Sequence, residues 1–510
     1  MLTPNNTRLT LALLTLILVG GCASDDEGAV EGSTSASTTE MVGSSDASTS
    51  EPVQTESSNA SSSTGGPATL EGQFERAGFV VQPGVVTTFT LDDCATLTDC
   101  FGNNATTPYV LFGLPPHPDR PDEVPESVVG AIPNIPETVS AAWFLESNEA
   151  VVIVGRTPPT ASYYGITPYV FTRATDAETR YVPFASVADT LNTVTTQTAT
   201  GERFDAEFSL VVAGDADVRA AATEALITAG YAEEGMNDLV FSSERVRFGL
   251  DTDADQLMLM GRVALIEDPD AAADFLEAPS FEVWRLTFAE ESTNPEAAPE
   301  RTPRGDGTNE DVYRDSLDAL EDAIETSLGD AAFESISVAS SQTVAFAIDP
   351  EQCLTSGNEC LGDNTDTTYA VGPLDVATAD GTLTLGPDEA FIVYGVNHAA
   401  TGKATYSNMS LYSQARRAGV IAIADAQMEG SADRFLPDHP DRDALWAYEI
   451  RRACDGRPYC AELPTSFPGV PIEENIFFIF RAYLQPGSTV SPGHAEILAE
   501  RVIKVASGAR

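Results

Sequence analysis

From about residue 74 onward the chain runs in short stretches that alternate apolar and polar side chains. Gly, Pro, Asn or Asp interrupts them every few positions. Alternation with period two, bounded by turn formers, predicts short β-strands. Asp238–Arg247 and Gln256–Ala264 are two such predicted strands, joined by a Gly- and Asp-rich turn. Spacing changes to a helical period in three places. Val218, Ala222, Ala225 and Ala229 share one face, and Gly230 stands where a C′ glycine belongs. Tyr313, Leu317, Leu320 and Ile324 predict an amphipathic helix over Glu310–Leu328, stopped by Gly329. Near the C-terminus Ser491 fits an N-cap and Pro492 the first helical position, predicting a closing helix.

The strand-rich pattern recurs. Phe74-Glu75 aligns with Phe333-Glu334, Val85 with Val344, Phe89 with Ile348 and Cys94 with Cys353, at one constant offset. Cys100 and Cys360 each open a matching stretch that shares Gly102/Gly362, Asn104/Asn364, Thr107/Thr367 and Tyr109/Tyr369. An apolar strand ending at Gly155 parallels one ending at Gly395, and the stretch from Ser186 resembles that from Ala422. The strand, turn and helix from Phe208 to Gly230 pair with the run from Ile479 to Ile503. Similar windows in the same order predict a diverged duplication. The expected fold is therefore α+β, with two β-rich repeat lobes each ending in a helix. Their predicted bounds are 68–230 and 333–510, with an intervening strand pair, acidic linker and helix over 231–332.

The N-terminus follows different rules. Arg8 precedes an apolar run from Leu9 to Val19, too short to span a bilayer, which needs ~20 apolar residues. It reads as a secretory signal over residues 1–21. Val19-Gly20-Gly21-Cys22 resembles the lipobox of bacterial lipoproteins. That resemblance implies cleavage before Cys22 and diacylglycerol on its sulfur. It also implies anchoring of an extracytoplasmic body, with the outer membrane of a Gram-negative cell as the expected site. Residues 22–67 are Ser, Thr, Gly, Ala and acid, too polar to offset their ordering entropy, and are expected to form a disordered tether.

With Cys22 given to lipid, six cysteines remain in three close couples: Cys94/Cys100, Cys353/Cys360 and Cys454/Cys460. Six cysteines allow 15 pairings. Proximity favours the three local loops, as disulfides, in an oxidising compartment. Zinc fits poorly, because the spacing is not C-x₂-C and no histidine stands beside any couple.

Charge narrows the partners. The 510 residues carry 78 acids against 27 Lys and Arg, a formal charge of −51, which excludes a nucleic-acid partner. Spread over the surface, that acidity favours a soluble monomer and suits a saline habitat. Candidate chemistry gathers at His398, Lys403, Tyr406 and Asn408, where a general base and orienting amides could assemble. The alternative there is a hydrogen-bonded hairpin loop. Asn104, Tyr109, Asn364 and Tyr369 recur in both lobes and are candidate ligand contacts, although Gly-Asn and Gly-Asp also form turns by themselves. Asp251, Asp253 and Asp255 have the rhythm of a calcium loop. Gln256 and Arg262 stand where an EF-hand needs Gly and Glu, so only a weak, non-EF Ca²⁺ site remains open. No H-x-x-x-H pair, G-x-S-x-G elbow, P-loop or dinucleotide fingerprint occurs, and no cofactor or metal is expected otherwise. The leading expectation is a membrane-anchored surface protein that binds or scaffolds a surface or small-molecule ligand. The alternative is a secreted enzyme, such as a hydrolase, with its site near His398.

Overall fold

The computed structural model describes residues 69–124, 134–175, 179–291, 293–329, 333–336, 339–340, 349–372 and 383–506. The signal segment, Cys22 and the 22–67 tether lie outside the described residues, as do Val344 and Ile348 of the repeat. The fold is α+β.

The first half begins with α1 (Leu70–Arg76), capped by the Thr69 hydroxyl. Strands β1 (Phe79–Pro83), β2 (Val85–Phe89), β3 (Tyr109–Gly113), β4 (Glu149–Arg156) and β5 (Ala161–Ala174) follow. Next come the short β6 (Arg180–Tyr181), β7 (Ala185–Ser186) and β8 (Leu191–Asn192), then β9 (Glu207–Ala213). Helix α2 (Ala216–Ala229) starts at the Asp215 cap and ends at Gly230 in the left-handed region. The half finishes with β10 (Met236–Val240), β11 (Gln256–Ile266), α3 (Pro269–Glu277) and β12 (Phe281–Phe288).

Helix α4 (Arg314–Leu328) opens the second half. It continues through β13 (Phe333–Ile336), β14 (Ala339–Ser340), α5 (Pro350–Ser356), β15 (Thr367–Gly372), β16 (Ala390–Val396), β17 (Tyr406–Ser413) and β18 (Ala418–Ala424). The last elements are α6 (Asp425–Met428), β19 (Leu445–Arg451), β20 (Cys460–Glu462), β21 (Ile476–Tyr483) and β22 (Arg501–Val505).

These strands make four sheets. Their orders are β1-β12-β4-β9-β10 and β2-β3-β11-β5-β6 in the first half, and β13-β22-β16-β19-β20 and β14-β15-β21-β17-β18 in the second. Apart from β7 and β8, which pair with β5 off this order, the two halves have the same plan. The final strand of the first sheet pairs parallel in each half, β10 on β9 and β20 on β19.

Three expectations need correcting against this plan. The first half does not close at Gly230, because β10, β11 and β12 supply strands to both of its sheets. The predicted strand at 238–247 is shorter and ends at Val240. No helix closes the second half: residues 491–500 are irregular and Arg501–Val505 is a strand. There the backbone bonds to the segment preceding α4 instead, with Gly305 N–H donating to the Ser491 carbonyl and Glu310 N–H to that of Glu496. Strand β21 therefore answers β11 in the plan, and β9 is answered by β19.

Period-two burial sets the layers. Phe112, Ile153, Leu210 and Leu259 fill the space between the first two sheets. Val152, Val211 and Leu286 turn the other way onto Phe74 of α1 and Val218, Ala222 and Leu226 of α2. In the second half Phe391, Met409 and Phe480 lie between the sheets. Ile392, Tyr394 and Ile503 pack outward on Leu317, Leu320 and Ile324 of α4, so the predicted amphipathic face is buried as expected.

Candidate functional site

The two halves meet through exchanged loops. Disulfides join Cys94 to Cys100, Cys353 to Cys360 and Cys454 to Cys460, which places the folded body in an oxidising, extracytoplasmic compartment. No helix among the described residues is long and apolar enough to cross a membrane. Cys94 and Cys100 pack into the core of the second half, whereas Cys353, Leu354 and Cys360 pack into that of the first. After each of these two bridges the chain bonds to the opposite half. Cys100 and Gly102 donate to the carbonyls of Arg416 and Arg417, and Cys360 and Gly362 to those of Pro183 and Phe184. Gly102 and Gly362 hold φ of 72° and 69°, a region where a Cβ is strained, which is why glycine recurs at this point of both windows. The residue after each glycine is also a clasp. Asn103 Oδ1 accepts from Gly419 N–H at 2.8 Å, and the Asp363 carboxylate accepts from both the backbone and the hydroxyl of Ser186.

Where the loops cross, a cavity of about 90 Å³ opens between the halves. Alternation along β11 turns Met258, Met260 and Arg262 to one face, and Leu111 of β3 and Phe171 of β5 join them. The second half contributes Leu361, Gly362, Tyr369, Arg481 and Tyr483. Of the four recurring candidates, Asn104, Tyr109 and Tyr369 line this cavity. Asn364 is fully buried but not part of the wall, and both its amide atoms lack a hydrogen-bond partner among the described residues.

Two residues that sequence reading did not select dominate the electrostatics. Arg262 stands opposite Tyr109 in the sheet and Arg481 opposite Tyr369. Each guanidinium lies over two tyrosine rings, Arg262 over Tyr109 and Tyr169, Arg481 over Tyr369 and Tyr412. Arg262 donates to Tyr169 Oη at 2.7 Å and to the Gly362 carbonyl at 2.7 Å. Arg481 donates to Tyr412 Oη at 2.6 Å and to the Gly102 carbonyl at 3.4 Å. Burial pushes the phenols of Tyr109, Tyr169 and Tyr412 above their ordinary value and that of Tyr369 up to about 12, so these partners are neutral at physiological pH. Neither arginine has a carboxylate within ion-pair distance among the described residues. The signal in the sequence was an arginine placed identically in two strands that the repeat had not aligned.

Asp366 is a second buried acid of this interface, beside Asp363. It is fully buried, accepting from Tyr163 Oη at 2.8 Å and from the Asn192 amide at 2.9 Å. Burial raises its carboxyl to about 7. The folded state then holds a proton that the unfolded chain releases near its ordinary value of ~3.9, so stability falls as pH rises from about 4 to about 7. Asp366→Asn, which mimics the protonated form, removes that slope. Chemical denaturation of both proteins from pH 4 to 8 checks it, and parallel curves would refute the assignment.

The His398 group is arranged differently from a catalytic cluster. His398 is 1% exposed and both ring nitrogens are occupied, Nδ1 by Glu310 at 2.9 Å and Nε2 by Glu500 at 3.1 Å. Lys403 Nζ is held by Asp306, Glu496 and the Thr308 carbonyl. Tyr406 and Asn408 bond each other, and Tyr406 Oη reaches Thr106 of the first half. None of the four lines the cavity. At the calcium-like sequence, Asp251 pairs with Arg120 and Asp255 with Arg173. Among the described residues no group of three or more His, Cys, Asp or Glu side chains could hold a metal ion.

No family model matches the chain, and no curated protein matches it. Solved structures with similarity to it include two bacterial proteins. One is an uncharacterised protein from Burkholderia cenocepacia, 10% identical over 86% of this chain and 87% of that one, with a TM-score of 0.35. The other is a protein from Vibrio parahaemolyticus, 13% identical over 72% of this chain and 88% of that one, with a TM-score of 0.34.

Proposed function

We propose that this is a lipid-anchored extracytoplasmic binding protein that holds a small-molecule ligand in the cavity between its halves. The observation that carries the reading is the cavity itself. Its walls come from both halves, are mainly aromatic and aliphatic, and converge on a few polar groups, which is the usual make-up of a small-ligand site. A catalytic reading would need an accessible acid, base or nucleophile facing that space. His398 is instead held between two buried carboxylates, and Lys403 by Asp306 and Glu496, away from that space.

The anchor is read from the lipobox-like Val19-Gly20-Gly21-Cys22. Two acyl chains hold a protein on a membrane because each buried CH₂ contributes about 0.8 kcal/mol. The polar residues 22–67 then act as a spacer between membrane and body.

Both parts are testable. A thermal-shift screen of small organic molecules against the mature protein is expected to yield stabilising compounds. Filling the cavity by Met260→Trp should abolish each shift, and stabilisation that survives this change would refute the site. Cys22→Ser is expected to move the protein from the membrane fraction to the soluble fraction, and mass spectrometry of the mature N-terminus reads the lipid directly. An unmodified Cys22 in the membrane-bound protein would refute the anchor.

A further inference from the structure

We infer that the ligand is a short apolar monocarboxylate, its carboxylate held between Arg262 and Arg481 and its hydrocarbon part against Phe171, Met258 and Met260. The inference rests on the small-molecule reading of the cavity and specifies its chemistry.

Two cations line one small space, 6% and 5% exposed, and their described partners are phenols, hydroxyls and carbonyls. Burying a guanidinium without an anion is costly, and these two share Tyr109 and Tyr369 as neighbours. One bound anion offsets that cost for both. Each guanidinium has five N–H donors, and the described contacts engage three on either residue: Arg262 keeps Nε–H and one Nη2–H, the side-on fork a carboxylate accepts, and Arg481 keeps Nε–H and one Nη1–H as single donors.

The rest of the wall selects against an inorganic ion. Leu111, Phe171, Phe184, Met258 and Met260 would gain nothing from chloride or phosphate, whereas they bury a hydrocarbon. Size limits the chain. The cavity of about 90 Å³ is below the roughly 150 Å³ that accepts benzene in an apolar protein interior, so the enclosed part suits about four to six heavy atoms, with any excess at the mouth.

Titration calorimetry of the mature protein with propionate and butyrate, against propionamide and butyramide, decides the matter. The acids are expected to bind at least about tenfold more tightly than the amides, the loss typical of a missing charge-assisted contact. R262M and R481M should each remove that preference, and M260W should remove binding of acid and amide alike. Amides that bind as well as acids would overturn the anion while leaving the small-molecule reading intact. Chloride that stabilises as much as butyrate would overturn the hydrocarbon part. Failure of all four compounds overturns this ligand class, and an empty wider screen overturns the function with it. Should the arginine variants not fold, the acid-to-amide ratio on the unmodified protein and its loss in M260W remain decisive.

Discussion

His398→Ala is expected to lower the unfolding free energy by about 3–5 kcal/mol, the cost of leaving buried charge without its partner. The imidazole sits between two carboxylates that are themselves 3% and 5% exposed. Glu310 also accepts from the Thr401 hydroxyl at 2.7 Å and from Leu498 N–H at 3.0 Å. The histidine therefore ties the segment before α4 to the end of the chain. Burial alone would lower its pKa, but Glu310 and then Glu500 reverse that and raise it to about 10. Because the folded value lies above the unfolded one of ~6.5, the contribution is complete below pH ~6.5 and declines as pH rises through about 10. Urea denaturation of wild type and His398→Gln from pH 6 to 11 reads it as a difference between the two, which cancels the tyrosines. A cost below about 1 kcal/mol for the alanine variant, or a pH-independent difference, would refute the bridge.

Arg173→Ala should cost a similar amount, about 3–5 kcal/mol. Asp255 is fully buried and receives Arg173 on both oxygens, Nε at 2.9 Å and Nη2 at 2.6 Å. Arg173 also donates to the Leu354 carbonyl of α5 at 2.8 Å, so its loss loosens the junction of the two halves as well. Removing both charges is a different experiment. Arg173→Met with Asp255→Leu is expected to recover most of the stability, since a buried pair does little better than apolar groups of similar size. Guanidinium denaturation of the single and double variants measures both. A double variant as unstable as the single one would show that geometry at α5, and not an orphaned carboxylate, carries the cost.

Much of this architecture is legible in the sequence where the information is local. Cysteines six or seven residues apart pair with each other, and the helix around Leu317 and Ile324 is fixed by a spacing that any window reveals. Boundaries fail where closure is remote. Strands β10 and β11 look like an independent pair, yet they join different sheets, β10 beside β9 and β11 between β3 and β5, and no local pattern records that debt. At Ser491 a plausible helix start was outcompeted by backbone bonds to residues 305–310, far earlier in the chain. The candidate site divides in the same way. Asn104, Tyr109 and Tyr369 stand out because they recur, whereas Arg262 and Arg481 emerge only once β11 and β21 are seen to occupy equivalent places. The polar run at His398 reads as chemistry because its partners, Glu310 and Glu500, are 88 and 102 residues away.

The reciprocal disulfide loops have a consequence for how such a molecule can exist. Each half keeps two cysteines inside its neighbour, so a fragment cut at the junction would expose one greasy hook and one empty socket. That is the plan of a two-fold homodimer that trades arms, here written into a single polypeptide. On one polypeptide the two sides of the shared seam need not match, and here methionines stand on one side and tyrosines, valine and isoleucine on the other.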